Sequence, residues 1–171
     1  MKTNDLIIHI NDKRDSYQLH FEGKSNVKYQ LFWQLLDELG WDMKNPYHCI
    51  FGFLEIGEQA ESDVLFDQKG EPIILFEIKG IKENIDNHIE QTKRFFSVEN
   101  SIKVAILSNM VDMYFFSDFE TPGVMDETPF YKIYLPSFTQ QDVDFLEQFQ
   151  RDYFLDHFRD LYAKWKEQYL L

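Results

Sequence analysis

The feature that most constrains this chain is the stretch from residue 61 to 79. Two runs of strand-forming residues, 61–67 and 73–79, flank the polar segment Gln68-Lys69-Gly70-Glu71-Pro72. Short β-prone runs around a Gly-containing turn predict a hairpin, and a hairpin is marginal alone in water, so it demands a larger sheet. Helical spacing follows over 82–97, with Ile85, Ile89, Thr92, Phe95 and Phe96 on one side. Strands are predicted at 102–107, 112–117 and 130–134, and a further strand at 48–56. Before them, Val27, Leu31, Phe32, Leu35, Leu36 and Leu39 recur at helical spacing, with Ser25 or Asn26 as cap and Gly40 as stop. Two short strands, 5–10 and 16–21, are expected around the polar turn Asn11–Asp15. After Pro136 one long helix is expected from about Thr139. The fold class is therefore α/β: a helix, a three-stranded meander, a helix and further strands.

At 171 residues the chain suits a single domain. Its parts are an N-terminal strand extension (1–24), a core (25–135) and a C-terminal helical appendage (137–171). The hydrophobic fraction of 44% argues against disorder. A lone cysteine, Cys49, excludes a disulfide framework and a Cys-rich zinc site, and fits a reducing, cytoplasmic setting. The apolar stretch at the start is too short for a signal peptide, and nothing later approaches a membrane span.

The net charge of −13 argues at first against nucleic-acid binding, which needs Lys and Arg at phosphates. The excess is local, however. Residues 54–78 hold seven acids (Glu55, Glu58, Glu61, Asp63, Asp67, Glu71, Glu77) and one base, Lys69; residues 112–147 hold eight acids and one base, Lys132. Elsewhere acids and bases balance. A charge run is ordinarily a solvated face, but carboxylates among strand residues can instead hold a divalent cation.

Within Ile74–Lys79, alternation puts Ile74, Phe76 and Ile78 on one face and Leu75, Glu77 and Lys79 on the other. If the hairpin closes around Lys69-Gly70, Asp63 falls opposite the region of Glu77. Two convergent carboxylates suit Mg²⁺, and a neighbouring lysine can orient an attacking water or offset developing negative charge. Metal plus lysine is equipment for phosphodiester hydrolysis. For an isolated E-x-K tripeptide, a surface salt bridge is the ordinary explanation.

The larger pattern resembles the PD-(D/E)xK nuclease superfamily. More closely, it is similar to the N-terminal nuclease domain of type I restriction enzyme R subunits and their stand-alone prophage relatives. The resemblance rests on five phrases in order: AESDVLFD, ILFEIKG, IEQTKRFF, AILSNM and DMYFFSD, with LGWD at 39–42 before them. It covers about residues 25–135. It implies a restriction-endonuclease-like core and a DNA endonuclease dependent on Mg²⁺, for which Mn²⁺ can substitute. It further implies that Asp63 and Glu77 ligate the metal with the backbone carbonyl of Ile78, that Lys79 is the lysine of the E-x-K, and that Gln91 faces the site from the helix. Two departures stand out. Phe95 replaces the usual tyrosine, and Ser25-Asn26 stand where the family often has a glutamate, a place Glu22 fills only if the helix starts earlier.

Other features are weaker. Gly23-Lys24-Ser25 lacks the upstream glycine of a P-loop, since position 18 is Gln18, so no ATP site is expected. His88 and Glu55 are secondary candidates for the site. Lys79, Lys82, Lys93, Arg94 and Lys103 are the basic residues expected around it. The aromatic stripe from Phe145 to Tyr169 suits packing on the domain's own sheet, or a homodimer or restriction-complex partner through the C-terminal helix. A membrane role is not expected, because the polar face of that helix is acidic. The rival to the nuclease is a catalytically silent acidic interaction module or DNA mimic on the same fold.

Overall fold

In the computed structural model, which describes residues 2–57 and 60–171, six strands form one sheet in sequential order. They are β1 (Cys49–Ile56), β2 (Ala60–Phe66), β3 (Pro72–Ile78), β4 (Val104–Ser108), β5 (Asp112–Phe116) and β6 (Tyr131–Tyr134). Neighbours pair antiparallel except β3 and β4, which run parallel. A parallel pair needs a crossover. It is supplied by the 3₁₀ turn Ile85–His88 and the fourth α-helix in chain order, α4 (Ile89–Phe96). Central position explains why β3 is buried along its whole length and reads as a nearly unbroken apolar run.

Alternation sorts the sheet's side chains into two cores. Leu65, Ile74, Phe76, Ile78, Val104 and Ile106 face most of the helices, whereas Val64, Phe66, Leu75, Ala105 and Leu107 face Ile85, Phe95 and Phe96 on the α4 side. The hairpin, the crossover helix and the three later strands thus follow the periodicity of the sequence.

Three expectations change. First, the predicted strands at 5–10 and 16–21 are helix: α1 spans Thr3–Ser16 and a 3₁₀ turn spans Gln18–Phe21. Its buried face is Thr3, Leu6, Ile7, Ile10 and Arg14, and the polar run 11–15 continues the helix. Arg14 is buried because its guanidinium donates to Asn11 Oδ1 and to the Met110 carbonyl, both at 2.7 Å.

Second, the helix over 24–38 begins at Gly23 without a side-chain cap; Asn26 instead donates to the His20 carbonyl. It consists of α2 (Lys24–Val27), a π turn (Lys28–Phe32) and α3 (Trp33–Glu38). Gly40 does end it, at φ +83°, with the Gly40 and Trp41 amides donating to the Asp37 and Leu36 carbonyls.

Third, the long C-terminal helix is two. α5 (Gln140–Glu147) carries a capping box between Thr139 and Asp142, and α6 (Arg151–Leu170) follows a break at Gln150. No proline or glycine causes the break. Trp41 Nε1 donates to the Phe149 carbonyl and the Arg151 amide to the Leu39 carbonyl, both at 2.8 Å, so distant groups satisfy the interrupted backbone. Phe145, Leu146, Phe149, Phe154, Leu161 and Trp165 all lie in the main core. At roughly 1.5–3 kcal/mol for each fully buried large apolar side chain, the segment 137–171 is built into the fold. Among the described residues no helix is long and apolar enough to cross a membrane.

Candidate active site

β2 starts and β3 ends at the same end of the sheet, and a cleft of about 450 Å³ opens there. Helix α2 and its π turn form one wall with Lys24, Ser25, Lys28 and Tyr29; α4 contributes Gln91 from the other side. Between them stand Glu61 to Asp63 of β2 and Phe76 to Lys79 at the end of β3. All four expected site residues, Asp63, Glu77, Lys79 and Gln91, line this one cleft, as does Ile78.

The register refines how they meet. Asp63 is directly opposite Phe76, one position from Glu77. By alternation the two carboxylates therefore leave the ladder on opposite faces, and the cleft joins them only because it lies where the strands end. Each is attended from its own face. Asp63 Oδ2 lies 2.8 Å from Lys28 Nζ, and Oδ1 accepts from the Gly52 amide at 2.8 Å. Glu77 Oε2 lies 3.2 Å from Lys79 Nζ, which also donates to Gln91 Oε1 at 3.4 Å. Asp63, Glu77 and Lys79 are only 7%, 6% and 9% exposed. Charges so removed from water require partners, and here they have them.

Two glycines shape the walls. Gly52 sits in a bulge of β1 at φ +67°, which turns its amide onto Asp63. Gly80 follows Lys79 where a Cβ would come within 1.9 Å of the Glu22 carbonyl oxygen. Only glycine lets the 21–22 backbone cross there, with the Ile81 amide donating to the Phe21 carbonyl. Beneath the cleft, burial first and the Asp63 charge second push the Cys49 thiol up to about 12.

The secondary candidates divide. Glu55 reaches the cleft and stands directly across β1–β2 from Glu61. Glu22 does not line it; its carboxylate pairs with Lys82. His88 pairs with Glu83 at 2.9 Å, away from the cleft lining. Phe95 is buried in the α4-side core. Glu58 lies outside the described residues. The expected basic surround is corrected: Lys82, Lys93 and Lys103 pair with Glu22, Glu127 and Asp118, and Arg94 lies exposed on α4. The cleft's cations are Lys24, Lys28 and Lys79.

Lys24, Lys28 and Tyr29 were not legible as site residues. Only the i, i+4 spacing of the two lysines put them on one helical face, and a π turn has no sequence signature that would aim them. Among the described residues no group of three or more His, Cys, Asp or Glu is placed to hold an ion together. Comparison of the chain with family models, curated proteins and solved structures finds no match.

Proposed function

We propose that the chain is a Mg²⁺-dependent DNA endonuclease of restriction or phage-related type on a restriction-endonuclease-like core. The observation that carries this reading is the convergence of Asp63, Glu77, Lys79 and Gln91 on one cleft at the sheet end. Ion pairs that serve stability alone gain nothing from being gathered around a space of this size. The order of helix, meander, crossover helix and strands agrees with that core.

The donors fit the metal. Asp63, Glu77 and the Ile78 carbonyl would hold it as an all-oxygen set, and Mg²⁺ takes one or two carboxylates while keeping several waters. When bound, the ion supplies Lewis-acid polarisation of a phosphate and a more acidic water. Lys79 Nζ, fixed between Glu77 and Gln91, orients an attacking water or offsets charge developing on the phosphate oxygens. Gln91 acts by holding that ammonium in place. Lys24 and Lys28 present positive charge on the facing wall, where a phosphate backbone would run.

The rival acidic module draws on the charge of 112–147. Asp118 and Asp126 are 0% and 4% exposed and Asp142 is engaged by Thr139 and Tyr131, so the fold uses these three, while Glu120, Glu127, Asp144 and Glu147 stay exposed. The test is nicking of supercoiled plasmid in Mg²⁺ or Mn²⁺ against EDTA. Metal-dependent nicking that falls about 100-fold or more in Glu77→Ala supports the enzyme. Absence of nicking in either metal shifts weight to the module.

A further inference from the structure

Lys28 has no part in the motif that pointed to the cleft, yet it holds the cleft's closest cation–carboxylate contact. It opens the π turn Lys28–Phe32, where the helix widens and the Trp33 amide reaches back to the Lys28 carbonyl. Such turns weaken the hydrogen-bond ladder and recur where a side chain must be re-aimed. Here Val27, Leu31 and Phe32 stay in the core while Lys28 and Tyr29 turn to the cleft.

The ammonium that results is built in from three sides. Lys28 Nζ is 2.8 Å from Asp63 Oδ2, 4.9 Å from the centre of the Phe51 ring and 5.2 Å from that of Tyr29. Phe51 is itself fixed against Trp33 and Phe76. The Lys28 side chain is 17% exposed and that of Asp63 is 10% exposed, so the pair is little screened by solvent. Asp63 Oδ1 is occupied by the Gly52 amide, which leaves Oδ2 as the oxygen open to a cation, and Lys28 stands against it.

We propose that Lys28 is a resident counter-cation that competes with the divalent metal for Asp63. This rests on the nuclease reading of the same cleft. Without metal, Lys28 neutralises a carboxylate that would otherwise be buried unpaired. When it yields Asp63, the Phe51 and Tyr29 rings keep the ammonium in the cleft, where the phosphate of a nucleic-acid backbone is the anion it meets next. Metal binding and DNA binding are thereby coupled through one side chain, with opposite signs. Removing the charge of Lys28 strengthens the first and weakens the second.

The experiment measures Mn²⁺ affinity from the free-Mn²⁺ resonance signal, and DNA affinity by filter binding in Ca²⁺. It compares wild type, K28M, K28Q, K28R and D63N. Expected are about tenfold tighter Mn²⁺ binding and about tenfold weaker DNA binding in K28M and K28Q, with K28R near wild type. D63N loses the Mn²⁺ site. A purely structural lysine would weaken both affinities when replaced, and that result overturns the proposal, as does unchanged Mn²⁺ affinity. If Mn²⁺ binding depends on Asp63 but not on Lys28, the counter-cation fails and the nuclease reading stands. If no variant binds Mn²⁺ through Asp63, both fail.

Discussion

Residues 54–78 send Glu55, Glu61, Asp63 and Glu77 to the walls of one cleft, whereas residues 112–147 turn Asp118, Asp126 and Asp142 into fastenings. In the second stretch Asp118 accepts from Lys103 Nζ at 2.9 Å, from the Gly123 amide at 2.7 Å and from Tyr162 Oη at 2.9 Å. Asp126 takes the Phe119 and Glu120 amides at 2.9 and 3.0 Å, and Asp142 closes the cap of α5. In the first, Glu55 and Glu61 face each other across two strands as like charges, an arrangement that costs stability. The two stretches are nearly equal as charge counts. What separates Asp118 and Asp126 from Glu55 and Glu61 is whether each carboxylate is surrounded by donors or set against another carboxylate beside a space.

Neutralising Asp118 or Asp126 and neutralising Glu55 or Glu61 should therefore move stability in opposite directions. The largest effect is expected at Asp118→Ala, which strands the Lys103 ammonium, an amide and a hydroxyl; a loss of about 3–5 kcal/mol is predicted from urea denaturation. A loss under about 1 kcal/mol would make Asp118 an ordinary surface charge and erase the contrast.

Asp126 is next, at about 1–3 kcal/mol for Asp126→Ala, because two amides lose their acceptor. It also carries a pH signature. Burial, outweighing the two amide donors, raises the Asp126 carboxyl above its ordinary value, and burial likewise raises Asp112. The folded state then holds these protons more tightly than the unfolded chain. Their contribution to stability is present at low pH and is lost as pH rises through the raised folded values. Denaturation midpoints of Asp126→Asn should decline less than those of wild type over that acidic range; an equal decline would assign the effect elsewhere. The smallest effect has the reverse sign. Glu55→Gln or Glu61→Gln should raise stability by a few tenths of a kcal/mol, roughly the cost of facing like charges, and a loss in thermal denaturation would show these acids to be fastenings too.

How much of this could be read from the chain follows from the range of the interactions. Glu77 and Lys79 were legible as one face of a strand because the strand period operates locally, and the turn at Lys69-Gly70 set the hairpin's register to within a residue; Gln91 was indicated only by the resemblance to the nuclease family. The run Leu6-Ile7-Ile8-His9-Ile10 fits either period, being short and apolar-rich, and as a helix it buries Leu6, Ile7 and Ile10 in a core built from residues far along the chain. The break before α6 depends on Trp41 and Leu39, more than 100 residues away. Asp118 looked like surface charge because its partners lie 15 and 44 residues along the chain. Lys28 was hidden by a π turn that local patterning does not encode.

One measurement bears most directly on the claim that the first stretch is a catalytic site and the second a structural one. Plasmid nicking in Mg²⁺ is compared among wild type, Glu77→Ala, Lys79→Ala and Asp126→Asn, at a temperature where all four are folded by circular dichroism. The account predicts metal-dependent nicking by wild type and Asp126→Asn, lost by about 100-fold or more in the two cleft variants. Equal nicking by all four, or a loss in Asp126→Asn matching that in Glu77→Ala, would contradict it.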